Sequence, residues 1–224
     1  MKIIKPYVEQ MTPPIDGMEF LKSIERAGRT CYKSEDRITD DSAPKFVNTL
    51  IERGHEAMIE HAPSISMKFV CDRGVSHEIV RHRLFSFAQE STRYCNYGDK
   101  DIQFILPCWF SDDSKALLEN VSIIDYDAKV LEEIDLDEYV WAEAMLVSER
   151  LYNKLLKRNW SPQKARSVLS NSLKTEIIVT GNLRQWRHFF KLRTAQYAHP
   201  QMQEVAIMAL EILKAQIPIV FDDI

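Results

Sequence analysis

Apolar residues recur at helical spacing in several stretches of the chain and alternate in others. Met18, Leu21, Ile24 and Ala27 predict a helix over Gly17 to Tyr32. Phe46, Leu50 and Ile51 predict a second over Ser42 to Arg53, with Ser42 as candidate cap and Gly54 as the stop. Ile65, Met67 and Phe69 alternate with polar neighbours, so Pro63 to Cys71 reads as a strand. The Asp72-Arg73-Gly74 turn then leads into a short helix, Val75 to Arg83. Strands are also expected in the opening MKIIKPYVEQ, over Ile102 to Leu106 (closed by Pro107) and over Lys174 to Thr180. Ser114 to Glu133 is mixed and charged, an exposed helix with a loop. Tyr139, Ala142, Met145, Leu146, Leu151, Leu155 and Leu156 mark the longest helix, Asp137 to Asn159. Ser161-Pro162 caps the next helix, SPQKARSVLS, with proline at its first position. Asn182 to Leu192 and Gln201 to Ala215 complete the helices. With no internal repeat and no linker composition, the pattern predicts one mixed α+β domain over residues 1–224, richer in helix than in strand.

At 224 residues the length fits one sizeable domain, and 45% hydrophobic with 28% charged residues is a soluble globular profile. The net charge of −4 argues against a nucleic-acid-binding module, so clustered basic residues point to local anionic ligands instead. Cys31, Cys71, Cys95 and Cys108 show neither CxxC pairing nor metal-type spacing, which suits reduced thiols in the cytoplasm. The N-terminal ten residues are too polar for a signal peptide, and no apolar run is long enough to span a membrane.

Three motifs fall away on inspection. HEIVRH, His77 to His82, spaces its histidines five apart, which turns the rings about 140° from each other on a helix instead of the about 40° of a zinc-binding HExxH. The six glycines form neither GxGxxG nor a phosphate loop, so a nucleotide would have to be held mainly by side chains. Pro107-Cys108 resembles the Pro-Cys of the cysteine-dependent thymidylate synthases, but the CWFSDD around it does not continue that pattern, and a buried structural thiol is expected. His55 and His61, in GHEAMIEH, read either as a satisfied surface cluster or as ligand binding just before a core strand.

Two arginine-rich segments resist a bland reading. RHRLFSFAQESTRY, Arg81 to Tyr94, interleaves arginines with Leu84, Phe85 and Phe87, where a solvated face would be rich in lysine and glutamate. The guanidinium fork suits phosphate and carboxylate. Arg81 and Arg83 would point about 200° apart on a helix, which implies two partners or a helix that ends at His82. Ser91 and Arg93 would share a face if their segment is extended. NLRQWRHFFKLR, Asn182 to Arg193, carries an apolar stripe of Leu183, Trp186, Phe189 and Phe190 and contains no acid. Arg184 and His188 stack four apart on its polar face, while Arg193 lies about 180° round from Arg184. Arg166, in KARSVL, is a lone arginine among small residues.

Taken jointly, these residues resemble the flavin-dependent thymidylate synthases. Arg81-His82-Arg83, followed by seven residues and Ser91, matches that family's signature, and STRY, GHE…EH, KARSVL and NLR…H…LR fall in its order. The resemblance covers roughly residues 50 to 215. It implies a ThyX-like fold, helices packed around a central, mostly antiparallel sheet. The implied enzyme is a cytoplasmic homotetramer with active sites at subunit interfaces, binding neither nucleic acid nor membrane. It implies reductive methylation of deoxyuridylate (dUMP) to thymidylate (dTMP), with FAD as hydride carrier and 5,10-methylenetetrahydrofolate and NADPH as co-substrates, and with no metal and no enzyme nucleophile. Carried over by position, His55, Ala57, Arg81, His82, Arg83, Gln89, Asn182, Leu183, Arg184 and His188 would meet FAD. Glu78, Arg81, Gln89, Glu90, Ser91, Thr92, Arg93, Arg166 and Arg193 would meet dUMP, with Ser91 positioning the pyrimidine and Arg193 favouring ionisation at uracil N3. The family often has glutamine where Glu78 stands, glutamate at Gln89 and a hydroxyl residue at Ala57. Glutamine keeps hydrogen-bonding capacity without charge, and Ala57 leaves only backbone for the cofactor.

Overall fold

The computed structural model describes residues 1–98, 102–120 and 135–224. These pack as two compact units, one of Met1–Tyr7, Val70–Ile79 and the described part of Gln89–Ile177, the other of Val8–Phe69, Val80–Ala88 and Ile178–Ile224. The architecture is mixed α+β. Its main sheet has four strands in the order β2 (Tyr7–Gln10), β3 (Ile65–Asp72), β6 (Lys174–Gly181), β4 (Ser86–Gln89). The pairing is antiparallel: Met11 N donates to Ser66 O while Lys68 pairs with Glu9, and Ser66 Oγ meets Thr180 Oγ1 at 2.7 Å.

The opening segment forms two strands, because Pro6 supplies no N–H to a ladder. Its first piece, β1 (Lys2–Ile4), pairs in parallel with β5 (Gln103–Ile105), Ile3 opposite Phe104. In the first unit these strands and α5 (Leu136–Lys157) bury Ile3, Phe104, Ala142, Met145 and Tyr152 in one cluster. The helix expected over Ser114 to Glu133 appears as α4 (Asp112–Asn120), and the rest of that stretch lies outside the described residues.

In the second unit, α1 (Gly17–Thr30) starts on Asp16, whose carboxylate accepts from Met18 N at 3.0 Å and Glu19 N at 3.2 Å. It crosses α2 (Ser42–Glu52) at Gly28, where a Cβ would stand 2.6 Å from the Phe46 ring. Ser42 is the first helical residue and not the cap; its hydroxyl accepts from Thr39 N and donates to the buried Glu25 carboxylate at 2.7 Å. The core is aromatic. Trp186 stacks on Phe69 and Phe190, Phe189 meets all three edge-on, and Phe221, from the short α9 (Pro218–Phe221) after α8 (Pro200–Gln216), closes the cluster.

The expected helix Val75 to Arg83 is instead α3, Arg73–Ile79. The next residues leave helical geometry because Phe85 inserts against Trp186 at a ring separation of 4.7 Å and His82 against Phe189 at 4.9 Å. The proline-started helix shrinks likewise to α6 (Pro162–Ala165) and a 3-10 turn, Arg166–Val168, and Ser161 makes no side-chain cap bond. No helix among the described residues is long and apolar enough to cross a membrane.

Candidate active site

The second unit contains a cleft of about 650 Å³ where the Arg81–Phe85 turn meets α7 (Leu183–Arg193). α7 begins on a capping box: Asn182 Oδ1 accepts from Gln185 N at 3.0 Å, and Gln185 Oε1 accepts from Asn182 N at 2.8 Å. The same Gln185 side chain donates to Leu84 O at 2.9 Å, so one residue fixes both the helix start and the arginine turn. Beside it, Gly181 lets Phe85 close in; a Cβ there would stand 2.3 Å from the ring.

Arg81, His82, Arg83, Asn182, Arg184, His188 and Arg193 all line this cleft. The expectation that Arg184 and Arg193 face opposite ways is corrected by packing: α7 ends at Arg193, whose Nε reaches back to His82 Nε2 at 2.9 Å. His82 is therefore an acceptor and neutral. Burial, reinforced by the charges of Arg193 and His188, pushes its pKa down to about 4. Leu183 does not line the cleft; its side chain is buried in the core, which leaves its backbone for any ligand. His55 and Ala57 are exposed at the start of the 3-10 turn Glu56–His61, whose Glu56 and Glu60 line the cleft.

The absence of acids within Asn182 to Arg193 has a structural explanation at one position. Arg187 is fully buried and holds Asp223 in two parallel bonds of 2.6 and 2.7 Å, Glu56 Oε1 at 3.2 and 3.1 Å, and Val220 O. Burial opposes the Glu56 carboxylate, but Lys191 and Arg187 outweigh it and hold its pKa below the usual value. Arg184 pairs with Glu60 on the half-exposed rim. Arg81 and Arg83 have no carboxylate partner among the described residues, so the cleft keeps a cationic surplus.

In the first unit, the segment after β4 is a turn and not extended. Ser91 O accepts from Tyr94 N and Cys95 N, and Ser91 Oγ accepts from Arg93 N at 3.3 Å. Gln89 points inward: its amide donates to Ser76 Oγ at 2.8 Å and Thr175 Oγ1 at 3.2 Å. Glu90 is held by the Tyr97 hydroxyl at 3.0 Å and Lys174 Nζ at 3.3 Å. Burial and the Glu90 carboxylate push the Tyr97 phenol well above its usual range. Burial disfavours the Lys174 ammonium, yet Glu176 and Glu90 outweigh it and raise its pKa. Thr92, buried, accepts from Arg166 Nη1 at 3.0 Å, and both line a cleft of about 460 Å³ with Arg73, Gln163, Ser167, Ser170 and Asn171. Glu78, Ser91 and Arg93 line neither cleft.

Cysteine chemistry is poorly served. The buried thiol is Cys71 and not Cys108, which is half-buried, and burial, then Asp72, drives the Cys71 pKa far above its normal value. Among the described residues no group of three or more His, Cys, Asp or Glu side chains could hold a metal ion. Sequence reading missed Arg73, Glu56, Glu60 and Gln185. Only Gln185 carried a visible signal, the Asn182-x-x-Gln185 capping box.

Among the described residues the cleft gathers arginine forks without a glycine-rich loop, a lining whose chemistry suits anionic groups. The chain belongs to the Thymidylate synthase complementing protein family, whose model matches residues 15–219. It is an enzyme, a methyltransferase. Its relatives include the flavin-dependent thymidylate synthase of Corynebacterium aurimucosum, 36% identical over 202 residues (89% of this chain, 78% of that protein). Those of Mycobacterium marinum, 35% identical over 214 residues (95% and 82%), and Corynebacterium glutamicum, 32% over 224 residues (95% and 85%), are similar as well.

Proposed function

We propose that the chain is a flavin-dependent thymidylate synthase that methylates dUMP to dTMP, using FAD, 5,10-methylenetetrahydrofolate and NADPH. The observation that carries this reading is the cationic cleft lined by Arg81, His82, Arg83, Arg184, His188 and Arg193. Those side chains fit a flavin dinucleotide. Its diphosphate is anionic, Arg81 and Arg83 have no carboxylate partner among the described residues, and the neutral His82 adds no charge to be neutralised. Arg184 is held only by a rim pair with Glu60, and such half-exposed pairs are worth about 0–1 kcal/mol, so a phosphate can displace the carboxylate.

FAD, when bound, supplies the hydride chemistry; the protein supplies binding, orientation and electrostatics. Asn182 and Gln185 fix the α7 start that presents Arg184 and His188 to the cofactor. Leu183 contributes backbone, and His55 and Ala57 border the cofactor from the 3-10 turn. Arg193, oriented by its bond to His82, meets the uracil and stabilises negative charge developing on the ring. Arg166, oriented by Thr92, takes the dUMP phosphate, with Glu78, Arg81, Ser91 and Arg93 completing the nucleotide contacts. Gln89 and Glu90, whose side chains are already bonded within the protein, hold the dUMP loop in shape and offer the nucleotide mainly backbone. Ser91 positions the pyrimidine and forms no covalent bond to it. We assign the chain a ThyX-like fold, a single functional domain and a cytoplasmic homotetramer with active sites shared between subunits.

The absorbance spectrum of the purified protein tests the cofactor. A flavin band that NADPH bleaches under anaerobic conditions is expected; protein that takes up no flavin from excess FAD contradicts the reading.

A further inference from the structure

We propose that the outer face of α5 is a self-association surface, on which the α5 of a second copy lies antiparallel, the two helices crossing at Ala144. No residue of this face lines either cleft, so the contact shares no active site. It adds to the subunit contacts proposed above and does not depend on which ligands the clefts take.

α5 is apolar on two sides. Ala142, Met145, Ser148 and Tyr152 are buried on one. About 135° round the helix, Leu136, Val140, Ala144, Val147 and Leu151 make a second stripe, about 22 Å long. Leu136 is 72% exposed, Val140 54% and Leu151 41%. Single exposed apolar residues need no explanation, but a stripe at helical spacing is the seam of a helix pair. Ala144, exposed at its middle, carries only a methyl, so a second helix can approach closely there.

Charge selects the occupant. Asp137 and Glu143 border the stripe in its first half, Arg150 and Lys154 in its second, and none of the four has an ion-pair partner among the described residues. The helix dipole accounts for Asp137 and Lys154, which sit in the end turns, but not for Glu143 and Arg150 in the middle. An antiparallel copy lays each acidic half along a basic half, whereas a parallel copy sets like charges together. An anionic lipid surface or a nucleic acid would be repelled by the acidic half.

Sedimentation velocity of the full chain over a wide concentration range tests the pairing. Wild type should reach twice the mass of Val140→Glu/Leu151→Glu, with flavin content the same in both. Disulfide trapping with diamide tests the geometry even if that variant folds poorly. Ala144→Cys should link two copies well beyond the wild-type thiol background. Leu136→Cys should not, because antiparallel copies hold that position about 24 Å from itself. Equal masses for wild type and the double variant at every concentration overturn the proposal, whether or not the protein then floats with lipid vesicles. Linkage at Leu136→Cys as strong as at Ala144→Cys overturns it too. So does an Ala144→Cys thiol that maleimide cannot reach even in the Val140→Glu/Leu151→Glu background, since the chain itself would then cover the face.

Discussion

Arg193 Nε donates a 2.9 Å hydrogen bond to His82 Nε2. Because arginine does not give up its proton, that nitrogen must present a lone pair, and the His82 proton sits on Nδ1. The middle residue of Arg81-His82-Arg83 is thus no third cation but a neutral acceptor that orients the arginine closing α7.

His82 should therefore titrate near pH 4, where burial and then the neighbouring charges of Arg193 and His188 place it, instead of at its ordinary 6.5. Its folded pKa is lowered, so its contribution to stability is fully present above pH 6.5 and is lost as the pH falls through about 4. Histidine NMR titration checks this, and Arg193→Gln should move the midpoint upward. A wild-type midpoint of 6.5 would contradict the assignment.

Gly181→Ala should cost the protein its flavin. The new methyl would stand 2.3 Å from the Phe85 ring and 2.5 Å from Gln185 Oε1, the two groups that hold the arginine turn on α7. Overpacking of this kind costs about 1–3 kcal/mol. Flavin content after purification and the urea midpoint together read it; unchanged values for both would refute the role given to this close approach.

Arg187→Met should destabilise the fold by about 3 kcal/mol, the low end for breaking a buried pair, because Glu56 and Asp223 are partly solvated. The Arg187 bonds hold the Asp223 carboxylate below its usual pKa, so the wild-type advantage should fade as acid protonates both carboxylates. Urea unfolding of the two proteins at neutral and acid pH gives the comparison. An equal loss at both would mean that packing, not charge, sets the effect.

Tyr97→Phe removes the hydroxyl that donates to Glu90 but leaves Lys174 in place, so about 1 kcal/mol of stability should go. Since that bond braces the turn carrying Ser91 and Thr92, dUMP binding should weaken while flavin retention stays. Loss of flavin with dUMP affinity intact would contradict this division of labour.

The elements with strong periodicity were legible in the chain: Leu21 and Ile24 face the core of α1, and Ile177 and Val179 alternate inward along β6. What local pattern could not give was where long-range packing interrupts an element. Nothing near His82 says that Phe189, over a hundred positions away, draws its ring out of helical geometry. The clustering of the arginines is plain in the sequence, but which of them pair with acids is not, because Glu56 and Asp223 reach Arg187 from distant segments. Gln89 and Glu90 looked like substrate contacts beside Ser91, and only the fold shows both side chains tied to Ser76, Thr175, Tyr97 and Lys174.

The most direct test of the central claim is dTMP formation by the purified protein from dUMP, 5,10-methylenetetrahydrofolate and NADPH, with and without FAD. Product that appears only with FAD, and that is nearly abolished by Arg193→Ala while the flavin stays bound, is the predicted result. Turnover at the same rate in flavin-stripped protein, or none in the flavin-loaded protein, would contradict it.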